Sequence, residues 1–198
     1  MRLSPEAHGN RPWRIHEITG DFRLEDVWAL PTPGGPDDFP SLVELIAGTE
    51  PKGPLWTIRW KLGELLGWDD EDAGLRKRVP SLRDRLPEDL RDGPTGPTPD
   101  RVPFEPLYLL DDEFAAEVAN GTVHGVLHLA WVEDGDTGAF RGQMAVLVKP
   151  NGRLGEAYLA AIKPFRYLLV YPAMLRTLER AWLSRPRGDA VPRPAPVM

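Results

Sequence analysis

The chain has 198 residues, a formal net charge of −6, 41% apolar residues and no cysteine. Its size fits one domain with tails better than two. The missing cysteine excludes disulfides, thiolate metal sites, iron–sulfur clusters and cysteine nucleophiles, and the acidic balance disfavours nucleic acid and other polyanions as partners.

The N-terminal MRLSPEAHGNRPW has no apolar run and does not read as a signal peptide. Residues 1–16 read as a weakly ordered lead-in. Phe22 to Leu30 alternates, with Phe22, Leu24, Asp26, Trp28 and Leu30 on one face, so it reads as a half-buried strand. PTPGGPDD turns the chain, and Asp38 caps a helix running to about Ala47 with Pro40 in its first turn. A second helix is expected over PLWTIRWKLGELLGW, where Leu55, Ile58, Leu62, Leu65 and Leu66 recur at helical spacing beside Trp56 and Trp60.

Residues 69–103 are charged and rich in Pro and Gly, and read as an irregular connection with short helical turns. Phe104 to Leu110 reads as a strand that Pro106 demotes to an edge. DDEFAAEVANG carries acidic residues at its start and Asn-Gly at its end, the signals of a short helix. Thr122 to Val132 and Phe140 to Lys149 are strands joined by a turn at EDGDTG.

From Leu154 to about Leu183 one apolar stripe continues through Tyr158, Ala161, Ile162, Phe165, Leu168, Leu169, Pro172, Leu175, Leu178 and Trp182. Pro164 and Pro172 should bend or break this helix. Residues 185–198 form a Pro-rich tail expected to be disordered. The longest uncharged apolar run, residues 167–175, is far below the ~20 residues of a membrane span. A soluble cytoplasmic protein is expected, with its single domain over residues 17–184. The overall pattern is α+β: a curved antiparallel sheet around a long C-terminal helix, with room for a cavity between them.

His124 and His128 sit four apart on a strand. At ~3.3 Å per residue they stand roughly 13 Å apart, whereas Zn–N bonds are about 2.0–2.1 Å. One ion cannot take both, so no metal site is expected. Val123, Leu127, Leu129 and Trp131 form the more apolar face of this strand and are assigned inward, with Met144, Val146 and Val148 of the next strand. His124 and His128 then face outward, on a surface that is either a dimer contact or covered by the long connection. One of them lining a site is the alternative.

Few constellations carry chemistry. Ser4, Ser41, Ser81 and Ser184 are the only serines, and none lies in G-x-S-x-G. No phosphate loop or dinucleotide fingerprint is present, so no cofactor is expected. Asp134 and Asp136 lack the downstream ligands of a calcium loop. Asp26 stands out, because it interrupts an apolar strand face and must be paired, hydrogen-bonded or protonated. It reads either as a cap on nearby backbone or as a ligand anchor or general acid/base with Arg59 as partner. Glu117 and Glu133 carry no comparable signal.

Three stretches together resemble a bacterial domain of unknown function, the DUF2867 family. They are DFRLEDVWALPTPGGPDDFP (21–40), TVHGVLHLAWV (122–132) and FRGQMAVLVKPNGRLGEAYLAAIKPFRYLLVYPAML (140–175). The resemblance spans roughly residues 14–184. It implies a relation to the START-like (SRPBCC) helix-grip proteins, whose members bind lipids, sterols or polyketides and in some cases catalyse cyclisation. Relatives also occur fused to NAD(P)-binding domains.

Three functions follow as expectations. The first is binding of a small apolar molecule between sheet and late helix. Its walls would be Trp28, Leu127, Leu129, Trp131, Met144, Val146, Tyr158, Ile162 and Phe165, with Asp26 and Arg59 as polar contacts. The second is a cyclase or dehydratase using Asp26, Tyr158, His124 or His128 as acid/base. The third is an interaction module whose histidine face meets a second copy or an NAD(P)-binding oxidoreductase.

Overall fold

Five segments of alternating or β-branched sequence pair into one antiparallel sheet. They are β1 (Arg23–Ala29), β2 (Glu105–Leu109), β3 (Glu113–Ala119), β4 (Val123–Glu133) and β5 (Phe140–Pro150), in the order β1-β5-β4-β3-β2. The computed structural model describes residues 1–48, 79–98, 104–119, 123–135 and 138–185. The helix expected over PLWTIRWKLGELLGW, with Arg59, lies outside the described residues, as do residues 186–198 and the side chain of Tyr158.

The hairpin of β4 and β5 is the frame. It pairs over its full length, from Val123 opposite Pro150 to Glu133 opposite Phe140. Both of its faces are covered, which explains its near-continuous apolar sequence. One face packs against α3 (Phe39–Gly48) and the C-terminal helix, the other against the N-terminal segment and residues 82–90. We refer to these as the helix face and the histidine face. At Gly142 a Cβ would stand 2.6 Å from Leu42 Cδ2, so any side chain there would have to displace Leu42 of α3.

Residues 113–119 form a strand, not the expected helix. Two glutamates four apart fit a helix face and a strand face equally, and pairing with β4 decides the matter. Glu113, Ala115 and Glu117 turn to the histidine face, Phe114 and Ala116 to the helix face. β2 is the edge expected from Pro106.

β1 corrects the sequence reading in one detail. Leu24 pairs with Leu147 and Asp26 with Val146, so Glu25 is an extra residue in a bulge. The bulge places Phe22 and Leu24 on the histidine face while Asp26, Trp28 and Leu30 face the helices.

The N-terminal residues, read from sequence as a lead-in, are folded. Leu3 N–H donates to Val27 O at 2.8 Å and Ala29 N–H to Met1 O at 2.8 Å, covering the free edge of β1. The short helices α1 (Glu6–Gly9) and α2 (Ile15–Ile18) follow, and Trp13, Ile15 and Ile18 are buried on the histidine face. The connection after residue 78 adds a 3₁₀ turn (Leu82–Arg85) and α4 (Glu88–Arg91), which bury Leu82, Leu86 and Leu90 there.

The C-terminal helix runs as α5 (Gly152–Phe165), a π-turn (Arg166–Val170) and α6 (Tyr171–Ser184). Pro164 and Pro172 bracket the π-turn, which admits one extra residue per turn and shifts the helix phase. Leu168 and Leu169, expected on the buried stripe, are therefore 74% and 44% exposed, and Tyr171, Leu178 and Trp182 are the buried residues of α6. The architecture is α+β, a sheet carrying a long C-terminal helix, compatible with a helix-grip arrangement. Among the described residues no helix is long and apolar enough to cross a membrane.

Candidate functional site

The π-turn brings its polar side chains onto a buried carboxylate of the helix face. Asp26 has a fully buried side chain. Arg166 Nη2 and the Tyr167 hydroxyl donate to it, and the Tyr171 hydroxyl donates to Oδ2 at 2.7 Å. Arg166 also reaches the Tyr171 oxygen through Nη2 at 2.8 Å. Arg2 lies 3.9 Å from Asp26 Oδ1 and 4.6 Å over the Tyr167 ring. Trp28 closes the wall, 4.8 Å from the Tyr171 ring and 6.2 Å from that of Tyr167. Burial, then the Asp26 carboxylate, pushes the Tyr167 phenol up to about 12. Burial likewise pushes Tyr171 up.

The sheet register extends this site sideways. Asp26 stands opposite Val146, which stands opposite Leu127. The next row is Trp28, Met144 and Leu129. The middle of the hairpin is buried except at Leu127 and Val146, which are half-buried. Ile162 and Val146 both pack against the cluster of Val123, Val148 and Leu159, and Phe165 is half-buried beside the π-turn.

The structure thus gathers Asp26, Trp28, Leu127, Leu129, Met144 and Val146 on one face. Trp131 shares that face but is sealed between Phe39 and Trp182, with its N–H on Gly35 O at 2.9 Å. The partner of Asp26 is Arg166; Arg59 lies outside the described residues. Arg166, Tyr167, Tyr171 and Arg2 were not legible as site residues. The signal for the first two is the polar break RY between Pro164 and Pro172.

The histidines lie on the face opposite Leu129 and Trp131, as expected, and of the two alternatives for that face the structure shows cover by the connection, joined by the N-terminal segment: His124 is 3% exposed and His128 0%. Each meets a glutamate of β3. His124 Nε2 is 2.7 Å from Glu117 Oε2 and His128 Nε2 is 3.0 Å from Glu113 Oε1. The same glutamates cap helical turns lying on the sheet. Glu113 accepts the backbone N–H groups of Arg14 (3.0 Å) and Ile15 (2.9 Å) at the start of α2, and also the Tyr108 hydroxyl. Glu117 accepts the Leu82 N–H (3.0 Å) and the Ser81 hydroxyl at the 3₁₀ turn. His8 Nε2 is 3.1 Å from His128 Nδ1.

Through its glutamate, each dyad clamps a helical turn onto the sheet. Burial alone would push Glu113 up, but the His128 and Tyr108 bonds and the backbone N–H groups hold it down at about 2. Burial keeps His128 below its ordinary value. A neutral His128 donates from Nε2 to Glu113 and accepts from His8 at Nδ1, the tautomer the network selects. Both histidines are buried within the chain and contribute no exposed surface.

Among the described residues no group of three or more His, Asp or Glu side chains is placed to hold a metal ion. A cavity of about 350 Å³ opens on the histidine side, lined by Arg83, Asp84, Leu86, Arg91 and Leu107. Its two arginines reach backbone carbonyls, Arg91 to Leu86 O at 3.0 Å and Arg83 to Pro106 O at 3.5 Å.

No curated protein and no solved structure matches this chain. The model of the family described as "Protein of unknown function (DUF2867)" matches residues 18–173, which include β1 with Asp26, the whole sheet, the π-turn and Tyr171. The chain belongs to this family.

Proposed function

We propose that the protein binds a small, largely apolar molecule on the helix face of its sheet. The polar end of the molecule meets Asp26 and Arg166, and its apolar part lies along Val146 and Leu127. One observation carries this reading: an adjacent pair of half-buried apolar side chains in the otherwise buried middle of the hairpin, beside a buried carboxylate ringed by three donors. Small-molecule sites combine an apolar wall with a few convergent polar groups in this way.

The neutral dye Nile red tests it. Saturable binding to the full chain is expected, with loss in Leu127→Arg. Leu183→Arg, at an exposed position of α6, should bind as the parent does. Binding that Leu127→Arg leaves intact would place the dye elsewhere and remove the reading.

A second reading has its own observation. The Tyr167 hydroxyl donates to Asp26, so a phenol and a carboxylate stand joined as an acid and a base, which cyclases and dehydratases require. Asp26→Asn should then abolish turnover of a polyketide-like substrate while Nile red still binds. Unchanged turnover would end this role.

A further inference from the structure

The donors of the site outnumber its acceptors. Asp26 is the only carboxylate on the helix face among the described residues that Arg166, Tyr167 and Tyr171 address, and its two oxygens already accept all three. Trp28 is 9% exposed, and its buried indole Nε1 has no hydrogen-bond partner. The ring forms the wall beside Tyr171 and Tyr167 and stands two residues from Asp26 on the same strand face. A buried donor without an acceptor costs free energy that a ligand oxygen recovers. Indole donates only, so the matching ligand atom must accept.

Charge points the same way. Two guanidinium groups, Arg166 and Arg2, flank the single Asp26 carboxylate. Glu25 also lies in the field of Arg166, but Arg23 neutralises it at 2.5 Å. Among the described residues the excess is one positive charge, in a chain whose net charge is −6. A carboxylate carries one negative charge, whereas a phosphate monoester carries about 1.5 to 2. A carboxylate also has two oxygens for two donor groups, and the surrounding wall is aromatic and aliphatic.

We infer that the polar end of the ligand is a carboxylate, held between the Trp28 indole N–H and the Arg166 guanidinium on the helix face. This rests on the binding reading above and specifies its ligand class: an apolar carboxylic acid.

Decanoate and methyl decanoate share a chain and differ in head charge, so their displacement of Nile red from the full chain separates the two claims. Decanoate is expected to act at about tenfold lower concentration than the ester. The indole N–H resonance of Trp28 should move downfield with decanoate and not with the ester. Trp28→Phe and Arg166→Gln should each shrink the preference to within about twofold. Equal displacement by acid and ester, or preference for the ester, overturns the carboxylate and leaves the apolar site standing. Saturable dye binding that neither compound displaces also overturns it. Absence of saturable dye binding overturns the binding reading itself, and this inference with it. The comparison on the parent chain decides the question even where a variant fails to fold.

Discussion

His8 is fully buried, and burial together with the imidazoles of His128 and His16 holds its pKa at about 3. In the unfolded chain it titrates near 6.5. The unfolded state therefore binds a proton that the folded state refuses, and stability falls as pH drops below about 6.5 and keeps falling to about 3. One such proton corresponds to ~1.4 kcal/mol per pH unit. His128, also held below its ordinary value, adds to this slope. Glu113 acts in a lower window, because its folded value of about 2 lies under the 4.5 of a free glutamate and its contribution is lost as pH falls between the two. His8→Phe should flatten the slope of unfolding free energy between pH 6.5 and 4.5 by about one proton. Urea unfolding at several pH values measures it, and parallel slopes for both proteins would refute the assignment. The carboxylate at position 26 is legible in the sequence, since a charge on an apolar strand face demands a partner. The partner itself is not, because Arg166 stands 140 positions away and only the folded helix brings it near.

Elements fail to declare themselves where one residue of phase is gained or lost. The bulge at Glu25 and the π-turn at Arg166–Val170 are two such places, and together they build the site. Strict alternation puts Leu24 and Asp26 on one face; the observed register puts them on opposite faces. The two descriptions predict different outcomes for deleting Glu25. Under the observed register the deletion closes the bulge, leaving Leu24 opposite Leu147 and Asp26 opposite Val146. The Arg23–Glu25 pair is lost, a half-exposed contact worth about 0–1 kcal/mol. The shortened chain should thus keep its near-UV circular dichroism and lose no more than about 2 kcal/mol of stability. Under strict alternation the same deletion would turn Asp26 and Trp28 to the wrong face and erase the aromatic signal. The strands of the hairpin and the edge strand were legible because alternation and Pro marked them. β3 was not, because its glutamates serve a four-residue period common to both structures.

At the level of the whole chain, the sheet needs two covers and the sequence advertises only one. The C-terminal helix has a continuous apolar stripe. The other cover is an irregular string of single anchors (Leu3, His8, Trp13, Ile15 and Ile18) separated by Pro, Gly and charge, so no period betrays it. Glu113 fixes that string by capping α2, as Glu117 fixes the 3₁₀ turn of the connection. Burying Trp13, Ile15 and Ile18 contributes ~1.5–3 kcal/mol each, a sum comparable with the ~5–15 kcal/mol that separates folded from unfolded domains. Deleting residues 1–18 removes this cover, exposes Val126, Ala130, Val132 and Ala145, and leaves His128 and Glu113 open to water. It also frees the edge of β1 for pairing with another chain. The truncated protein should show no cooperative unfolding transition, or should sediment as oligomers that bind a hydrophobic dye non-saturably. A monomer with an unchanged urea midpoint would mean that the N-terminal segment is an ornament and that the histidine face is stable bare.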